Sequence, residues 1–163
     1  MAMFFQQLLS VGYVPQEWKC AIITPVFKKG PTSCVANYRP ISLTCIASKI
    51  MERIIAKSIL QHLTINSLLS SAQHGFVQRR STCTNLLECI NDWTLILQDG
   101  NSVTVVYIDF NKAFDSVAHD KLFARFSQYG IKSILLEWLK NFFKNRTHRT
   151  KSVIGLHCLP LQS

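Results

Sequence analysis

A chain of 163 residues that is 48% hydrophobic is long enough and apolar enough to bury a core, which excludes an intrinsically disordered protein. Eighteen Lys and Arg against nine Asp and Glu give a formal net charge of +9, which suits a polyanionic partner but also serves solubility alone. The sequence holds no apolar run of the roughly 18 residues that a membrane span needs, and Met1 to Leu9 lacks the basic segment and cleavage site of a signal peptide.

The first predicted elements are a helix, a strand and a basic turn. Phe4 to Val11 predicts a helix, and Cys20 to Thr24 predicts a strand that Pro25 closes. The turn that follows carries Lys28 and Lys29. Two neighbouring lysines in a turn are either solvated or in contact with a phosphate, and solvation is the commoner case when nothing else is known.

The segment from Asn37 to Leu43 is predicted to be extended. The ring of Pro40 biases Arg39 toward β geometry, so that the guanidinium projects from a strand. A guanidinium is always charged and grips a phosphate through two parallel hydrogen bonds. Arg39 is therefore a candidate phosphate ligand, with a surface salt bridge as the alternative.

Thr44 to Leu63 is predicted to form an amphipathic helix. Apolar residues at helical spacing are expected to face the core as one stripe, namely Ile46, Ile50, Met51, Ile54 and Ile55. A neighbouring basic row is more simply a solvated face than a nucleic-acid contact, and it consists of Lys49, Arg53 and Lys57.

The segment from Gln73 to Thr82 combines a glycine, an aromatic ring and two arginines. Gly75 permits a turn or a close backbone approach. Phe76 either packs in the core or stacks on a base, and core packing is favoured for this residue taken alone. Arg79 and Arg80 suit a nucleic-acid backbone.

A second amphipathic helix is predicted from Thr84 to Gln98, with hydroxyl side chains at its start that suit an N-cap. Its apolar residues recur at i, i+4, i+7 and i+11, and they are Leu86, Ile90, Trp93 and Leu97. This face is expected to pack against the strand that comes next in the chain.

That next strand is predicted from Val103 to Ile108, a β-branched and aromatic run that ends on Asp109. A carboxylate at the end of a buried strand is costly to desolvate unless a cation or hydrogen-bond donors meet it. Asp109, Asp115 and Asp120 fall close together in a chain with few acids, which favours a metal site or another site that handles charge. The alternative is that Asp109 caps the following turn.

The C-terminal part is predicted to contain two helices, from Asp120 to Tyr129 and from Ser133 to Lys144, and then a strand from Val153 to Leu159. Between the last two elements lies a basic cluster, in which phosphate contact and simple solvation are equally good interpretations. Its members are Lys140, Lys144, Arg146, His148, Arg149 and Lys151.

The six cysteines have no metal-binding spacing, and no Cys-x-x-Cys pair occurs among them. Most of them lie among apolar neighbours, which predicts buried free thiols and indicates a reducing compartment. They are Cys20, Cys34, Cys45, Cys83, Cys89 and Cys158.

Three motifs, in this order, resemble those of reverse transcriptases from non-LTR (LINE-type) retrotransposons. Pro25 to Gly30 together with Asn37 to Leu43 is similar to the fingers segment of that family. Gln73 to Thr82 is similar to its second fingers motif, and Tyr107 to Val117 is similar to its first catalytic palm motif. The resemblance covers nearly the whole chain, from about Val14 onward.

The resemblance implies roles for particular residues. It makes Asp109 the catalytic metal ligand, the backbone carbonyl of Phe110 a second metal ligand, and Phe114 a steric barrier to a 2′-hydroxyl, with core packing as the alternative for Phe114. The residues implied to contact the incoming nucleotide are Arg39, Asn111, Lys112, Ala113 and Phe114. The residues implied to contact nucleic acid are Lys28, Lys29, Gln73, Gly75, Phe76, Arg79 and Arg80.

The implied fold class is α+β, a partial fingers-palm of a right-hand polymerase that is truncated before the catalytic Asp-Asp hairpin. One partial domain would have fingers-like segments and supporting helices in about 14–98 and the first part of the palm in about 99–163. The implied activity is RNA-directed DNA polymerisation inside the cell, in the nucleus or the cytoplasm. It would use an RNA template, a DNA primer, deoxynucleoside triphosphates and Mg²⁺, with Mn²⁺ as the alternative metal.

No two acidic residues are adjacent in this sequence, and one carboxylate cannot assemble a two-metal site. We therefore expect the chain alone to be inactive, with the C-terminal palm and thumb segments as its missing partners. A basic, non-catalytic nucleic-acid-binding remnant of a degenerate element is the alternative. Asp109 turned into bulk water, far from Arg39 and Phe114, would overturn the polymerase interpretation.

Overall fold

The computed structural model describes residues 2–110, 113–152 and 155–160. The chain divides into two compact units, which are described separately below. The sheet unit consists of Met1–Lys57 and Ala118–Ser163, and the helix unit consists of Ser58–Val117. Both helices and a four-stranded sheet are present, which agrees with the α+β class.

The sheet has the strand order β2-β1-β3-β4, with β1 at Cys20–Phe27, β2 at Tyr38–Leu43, β3 at Thr147–Ser152 and β4 at Gly155–Pro160. β1 pairs antiparallel with β2 and parallel with β3, and β3 pairs antiparallel with β4. The strands predicted in the first half of the chain are therefore confirmed. The predicted C-terminal strand corresponds to β4, although its first residues, Val153 and Ile154, lie outside the described part.

The prediction that Pro25 closes the first strand is wrong, because β1 continues to Phe27. Pro25 lies directly opposite Pro40 on β2. The N–H of Lys28 donates to the carbonyl of Asn37 at 2.8 Å. Opposite residues in an antiparallel pair alternate between hydrogen-bonded and non-hydrogen-bonded positions. Pro25 and Pro40 lie three positions from the hydrogen-bonded Lys28 and Asn37, so they form a non-hydrogen-bonded pair, in which neither residue needs an N–H directed at the other strand.

Among the described residues, five α-helices occur where the sequence predicts them, with ends that differ by about two residues at most. They are α1 at Ala2–Ser10, α2 at Ile46–Ile65, α3 at Thr82–Gln98, α4 at His119–Gln128 and α5 at Ser133–Phe143. Short 3₁₀ helices precede the first two strands, at Gln16–Lys19 and Val35–Asn37. No helix within the described residues is both long enough and apolar enough to span a membrane.

The core of the sheet unit centres on Trp138 and Val14, which are each 1% exposed. Trp138 stacks on Phe142 with ring centroids 5.2 Å apart. The backbone N–H of Val14 donates to the side-chain oxygen of Asn141 at 3.2 Å, which ties the segment after α1 to α5. Gly12, in the turn between α1 and Val14, has a positive φ of 63°, a conformation that favours glycine.

The predicted core stripe of α2 is only partly correct. Met51 and Ile55 are buried, whereas Ile46 and Ile54 are exposed. Ser48 is also buried on this side of the helix, and its hydroxyl donates to the Glu52 carboxylate at 2.7 Å. Because that bond satisfies the hydroxyl, a polar residue can occupy the buried face. Periodicity alone does not show whether the stripe of Ile46, Ile50 and Ile54 or the adjacent stripe of Met51 and Ile55 faces the core.

The prediction of a strand at Val103–Ile108 is wrong, since the whole of 101–110 has no regular secondary structure. Tyr107 is 85% exposed, and the apolar face of α3 is also exposed at Leu86 and Ile90. The expected packing of α3 against this segment is therefore wrong as well. A β-branched run becomes a strand only where a neighbour pairs its backbone groups, and among the described residues no strand does so.

The prediction of buried thiols is also wrong. The five cysteines whose side chains the structure describes are free, but Cys34, Cys45 and Cys83 are exposed and the other two are only half-buried. Cys34 lies in a loop, Cys45 directly precedes α2 and Cys83 lies in the first turn of α3, where an apolar neighbour in the sequence does not ensure burial.

Candidate functional site

Asp109 lies in the irregular segment of the helix unit and its side chain is exposed. The described residues include no group of three or more His, Cys, Asp or Glu side chains that could hold a metal ion. The Asp109 carboxylate and the Phe110 carbonyl are two oxygen donors, whereas a two-metal site needs several carboxylates. These donors do not by themselves form the implied metal site, so we assign no catalytic step to a metal.

Two of the residues implied to contact the nucleotide, Asn111 and Lys112, lie outside the described residues. Ala113 begins a turn that runs to Ser116, whose hydroxyl donates to the Ala113 carbonyl at 3.4 Å. Phe114, within this turn, is 80% exposed. Core packing, which was the alternative for Phe114, is therefore wrong.

Phe76 and Phe114 are far apart in the sequence, and the helix unit brings them together. Their ring centroids are 6.1 Å apart and their planes are at 88°, an edge-to-face arrangement. Phe76 is 83% exposed, so core packing is also wrong for this residue. Two adjacent exposed rings form a surface on which a nucleobase can stack.

The segment that carries Phe76 is held by a network that the local sequence pattern does not reveal. His74 is buried; its Nδ1 lies 2.8 Å from the Thr84 hydroxyl and its Nε2 lies 2.9 Å from a carboxylate oxygen of Glu88. Thr84 and Glu88 are four residues apart on α3 and hence on one face of it. Because α3 also carries polar residues such as Asn85, Asn91 and Asp92, this pair gives no distinctive sequence signal for the contact.

The two arginines of this segment have different environments. The Arg80 guanidinium bonds to the backbone carbonyls of Ser71 and Gln73, so it serves the loop itself. Arg79 is exposed and has a positive φ of 64°. The predicted turn at Gly75 is confirmed, and the Gln73 side-chain amide donates to the Gly75 carbonyl at 3.3 Å.

The other predicted residues, Lys28, Lys29 and Arg39, belong to the sheet unit and are all exposed. Arg39 is on β2 opposite Val26. The loop that carries the lysines is ordered by Asn37, whose amide donates to the Pro31 carbonyl at 2.8 Å.

The same loop requires a glycine at position 30. Gly30 has a positive φ of 89°, and a Cβ there would lie 2.7 Å from the Asn37 amide nitrogen. Because an L side chain is strained in that conformation and would also collide with Asn37, only glycine suits this position. The ordered loop thus presents Lys28 and Lys29 to solvent.

Arg146 of the C-terminal basic cluster has a structural role. Its guanidinium lies 4.5 Å from the centre of the Phe142 ring and donates to the Phe142 carbonyl at 3.2 Å. Burial lowers its pKa, and the nearby Glu52 carboxylate opposes that shift. Burial also lowers the pKa of Lys19, and the positive charges of Arg146 and Lys144 lower it further.

The predicted residues thus fall into two groups. Lys28, Lys29 and Arg39 belong to the sheet unit, and the other described members belong to the helix unit. A cavity of about 690 Å³ opens on the sheet unit between β1, β2 and β3, and none of the predicted residues lines it. It is bordered by Arg149 and by two thiols, those of Cys20 and Cys45.

Comparison with known proteins bears on these residues. The family described as reverse transcriptase (RNA-dependent DNA polymerase) matches residues 26–160. The chain is 32% identical over 144 residues to a probable RNA-directed DNA polymerase from transposon BS of Drosophila melanogaster. It is 30% identical over 148 residues to the RNA-directed DNA polymerase from mobile element jockey of the same species.

A third relative is the retrovirus-related Pol polyprotein from type-1 retrotransposable element R2 of Popillia japonica, which is 27% identical over 128 residues. The matches cover 84%, 90% and 78% of this chain but only 16%, 16% and 17% of the three relatives. The chain therefore spans about a sixth of their length. The resemblance to non-LTR retrotransposon proteins is confirmed, and the chain belongs to the reverse transcriptase (RNA-dependent DNA polymerase) family.

Proposed function

We propose that this chain is part of an RNA-directed DNA polymerase that copies an RNA template from a DNA primer, using deoxynucleoside triphosphates and Mg²⁺ or, alternatively, Mn²⁺. Reverse transcriptases in general use divalent metal ions, nucleotides and nucleic-acid templates. The observation that carries the proposal is the edge-to-face contact of Phe76 and Phe114. The family resemblance assigns these two residues to the template and to the incoming nucleotide, which must be neighbours in a polymerase.

Each implied residue has a role that its chemistry supports. Asp109, with the Phe110 carbonyl, would supply hard oxygen donors to a divalent cation when further ligands complete the site. Arg39 would hold the triphosphate through charge-assisted hydrogen bonds. The ring of Phe114 would exclude a 2′-hydroxyl, while Asn111, Lys112 and Ala113 would flank the triphosphate.

The remaining residues would contact the nucleic acid. Lys28 and Lys29 would neutralise phosphates, and the segment from Gln73 to Arg79 would lie along the template. We also propose that residues 14–98 act as fingers-like segments and residues 99–163 as the first part of a palm. An intracellular location, in the nucleus or the cytoplasm, fits the free thiols.

Primer extension tests the activity. The 163-residue chain is expected to bind a primer–template without extending it, because its described residues offer no complete metal site. The polypeptide encoded by the full reading frame is expected to extend the primer with Mg²⁺. In that polypeptide Asp109→Asn should reduce extension at least about 100-fold, because the loss removes charge stabilisation in the transition state.

Two outcomes would contradict the proposal. If the full polypeptide bound the primer–template with steep salt dependence but never extended it, the non-catalytic nucleic-acid-binding remnant would be the better interpretation. If Asp109→Asn extended the primer as fast as the unmodified polypeptide, Asp109 would not be the metal ligand. Asp92→Asn, an exposed acid on α3, is the matched control.

A further inference from the structure

His74 joins the loop that carries Phe76 to α3 and has almost no contact with solvent. Its side chain is 4% exposed, whereas its partner Glu88 is 59% exposed. The Thr84 hydroxyl, its other partner, also belongs to the capping arrangement at the start of α3, because it accepts the Ser81 backbone N–H at 2.9 Å. The imidazole thus fastens the loop to the first turns of α3 at two points.

The hydrogen-bonding capacities of the groups define how the ring is held. A carboxylate only accepts hydrogen bonds, so Nε2 must carry a hydrogen that it donates to Glu88. The single hydrogen of the Thr84 hydroxyl is donated either to Nδ1 or to the Ser81 carbonyl, which lies 2.8 Å away; in the second case Nδ1 must be the donor to the Thr84 oxygen. Arg80, whose Nη1 lies 3.4 Å from Nε2, cannot donate to this nitrogen, and its bonds go to the carbonyls of Ser71 and Gln73.

The loop between His74 and Arg80 is conformationally strained. Phe76 and Arg79 both have positive φ, at 60° and 64°, and neither is glycine. Such conformations persist only where surrounding contacts hold them. His74 lies two residues before Phe76 and Arg80 directly follows Arg79, so these side chains supply contacts on both sides of the strained positions.

We propose that His74 is the positioning residue that holds the Gln73–Arg80 segment and thereby keeps the Phe76 ring beside Phe114, where an unpaired nucleobase of a template strand stacks. This inference deepens the proposed function and rests on it for the identity of the ligand. The attachment of the loop does not depend on that function and is tested separately.

The attachment is tested by trypsin cleavage of the full chain after Arg79 and Arg80. His74→Ala should speed this cleavage about fivefold or more, because proteolysis follows the population of the opened loop. His74→Gln should restore slow cleavage, since its amide N–H can replace Nε2–H toward Glu88. His62→Ala is the matched control, because the His62 ring lies beside Asn66, on the turn that follows its own helix.

A second variant keeps this test informative if His74→Ala fails to fold. Glu88 is largely exposed, so Glu88→Leu should leave the fold intact while removing the acceptor of Nε2–H. It should speed cleavage after Arg79 and Arg80 to a smaller extent than His74→Ala. Cleavage by Glu88→Leu and by any folded His74→Ala at the unmodified rate would overturn the proposal.

The positioning role is tested by binding of a fluorescently labelled single-stranded oligouridylate. Phe76→Ala and His74→Ala should each weaken binding about tenfold, the scale of one stacked base. The double variant should bind no more weakly than Phe76→Ala alone, because His74 acts through that ring. His74→Gln should restore affinity, which general destabilisation of the fold would not predict.

The outcomes separate the two proposals. Additive losses in the double variant would overturn the positioning role while leaving nucleic-acid binding intact. A chain that binds no oligouridylate and no primer–template would contradict the proposed function and the ligand assigned to Phe76. In that case accelerated cleavage of His74→Ala would still support the attachment.

Discussion

The Phe76 and Phe114 rings meet edge to face at 6.1 Å while each remains at least 80% exposed. Edge-to-face aromatic pairs are favourable by about 0.5–1.5 kcal/mol beyond area burial. Because rings this exposed bury little additional area, the contact contributes no more than about that amount to folding, and both ring surfaces remain accessible to a ligand.

Phe114→Ala is therefore expected to weaken binding of single-stranded RNA about fivefold with little effect on stability, since one stacking surface is lost. Phe114→Tyr should retain the affinity. Fluorescence anisotropy measures the affinity, and Tyr107→Ala, at an 85% exposed aromatic residue, is the control. If Tyr107→Ala and Phe114→Ala lost equal affinity for RNA, the binding would not depend specifically on the pair of rings at Phe76 and Phe114.

The start of α3 provides a prediction about stability. Ser81 accepts the backbone N–H of Thr84 at 3.2 Å, and the Thr84 hydroxyl accepts the N–H of Ser81 at 2.9 Å, which forms a capping box. Ser81→Ala should lower the free energy of unfolding by about 1 kcal/mol. Thr84→Ala should cost more, because that hydroxyl also contacts His74.

Urea denaturation followed by far-UV circular dichroism measures these changes. Ser102→Ala, at an exposed serine just beyond α3, is the matched control and should change stability little. A Ser81→Ala variant as stable as the Ser102→Ala control would show that the capping box contributes nothing.

The buried indole of Trp138 provides a second prediction about stability. Among the described residues, no acceptor lies within hydrogen-bonding distance of its Nε1. Trp138→Ala should cost about 3–5 kcal/mol through the cavity it leaves. Trp138→Phe should cost much less, because it keeps an aromatic ring against Phe142 and removes a buried N–H that lacks an acceptor.

Thermal and urea unfolding of both variants distinguish these cases. Similar losses for Trp138→Phe and Trp138→Ala would mean that the indole N–H has a partner in solution that contributes to stability.

Lys19 provides a prediction about pH. Burial, together with Arg146 and Lys144, lowers its pKa below the ordinary value of 10.5. The folded state therefore binds its proton less tightly than the unfolded state, and the charged lysine destabilises the fold at neutral pH. Lys19→Met should raise the free energy of unfolding at pH 7 by on the order of 1 kcal/mol.

This advantage should shrink as pH rises through the folded-state pKa toward 10.5, because the unmodified protein gains stability over that range. Urea denaturation at several pH values measures the difference. Lys121→Met, at an exposed lysine on α4, makes the same change in charge and is the control. If Lys19→Met raised the free energy of unfolding by the same amount at every pH, the lowered pKa of Lys19 would be contradicted.

Much of the secondary structure could be predicted because its determinants are local. The apolar spacing of Ile134, Trp138 and Phe142 predicts α5, and the Ser81 hydroxyl predicts the start of α3. The extended segment that carries Arg39 follows likewise from the conformational preference that Pro40 imposes. In the turn around Gly75 the positive φ falls on Phe76 and not on the glycine, so the preference of glycine does not account for it.

The burial of particular faces could not be predicted in the same way. Ile50 and Met51 are adjacent in the sequence and equally suited to a core, but only Met51 is buried. Val103–Ile108 has the composition of a strand, but it forms one only if another strand pairs with it. His74 carries no local sign of its contacts with Thr84 and Glu88, which lie on a different element.

The sequence by itself determined the family and the positions of the helices, because motif order and local periodicity do not depend on contacts between distant residues. It also supplied the residues to which the proposed chemistry is assigned. Only the tertiary structure decided which helix faces are buried, that β1 lies parallel to β3, and that Phe76 reaches Phe114. These depend on contacts between residues far apart in the sequence, and the free energy of such contacts depends on the packing of the whole unit rather than on any local pattern.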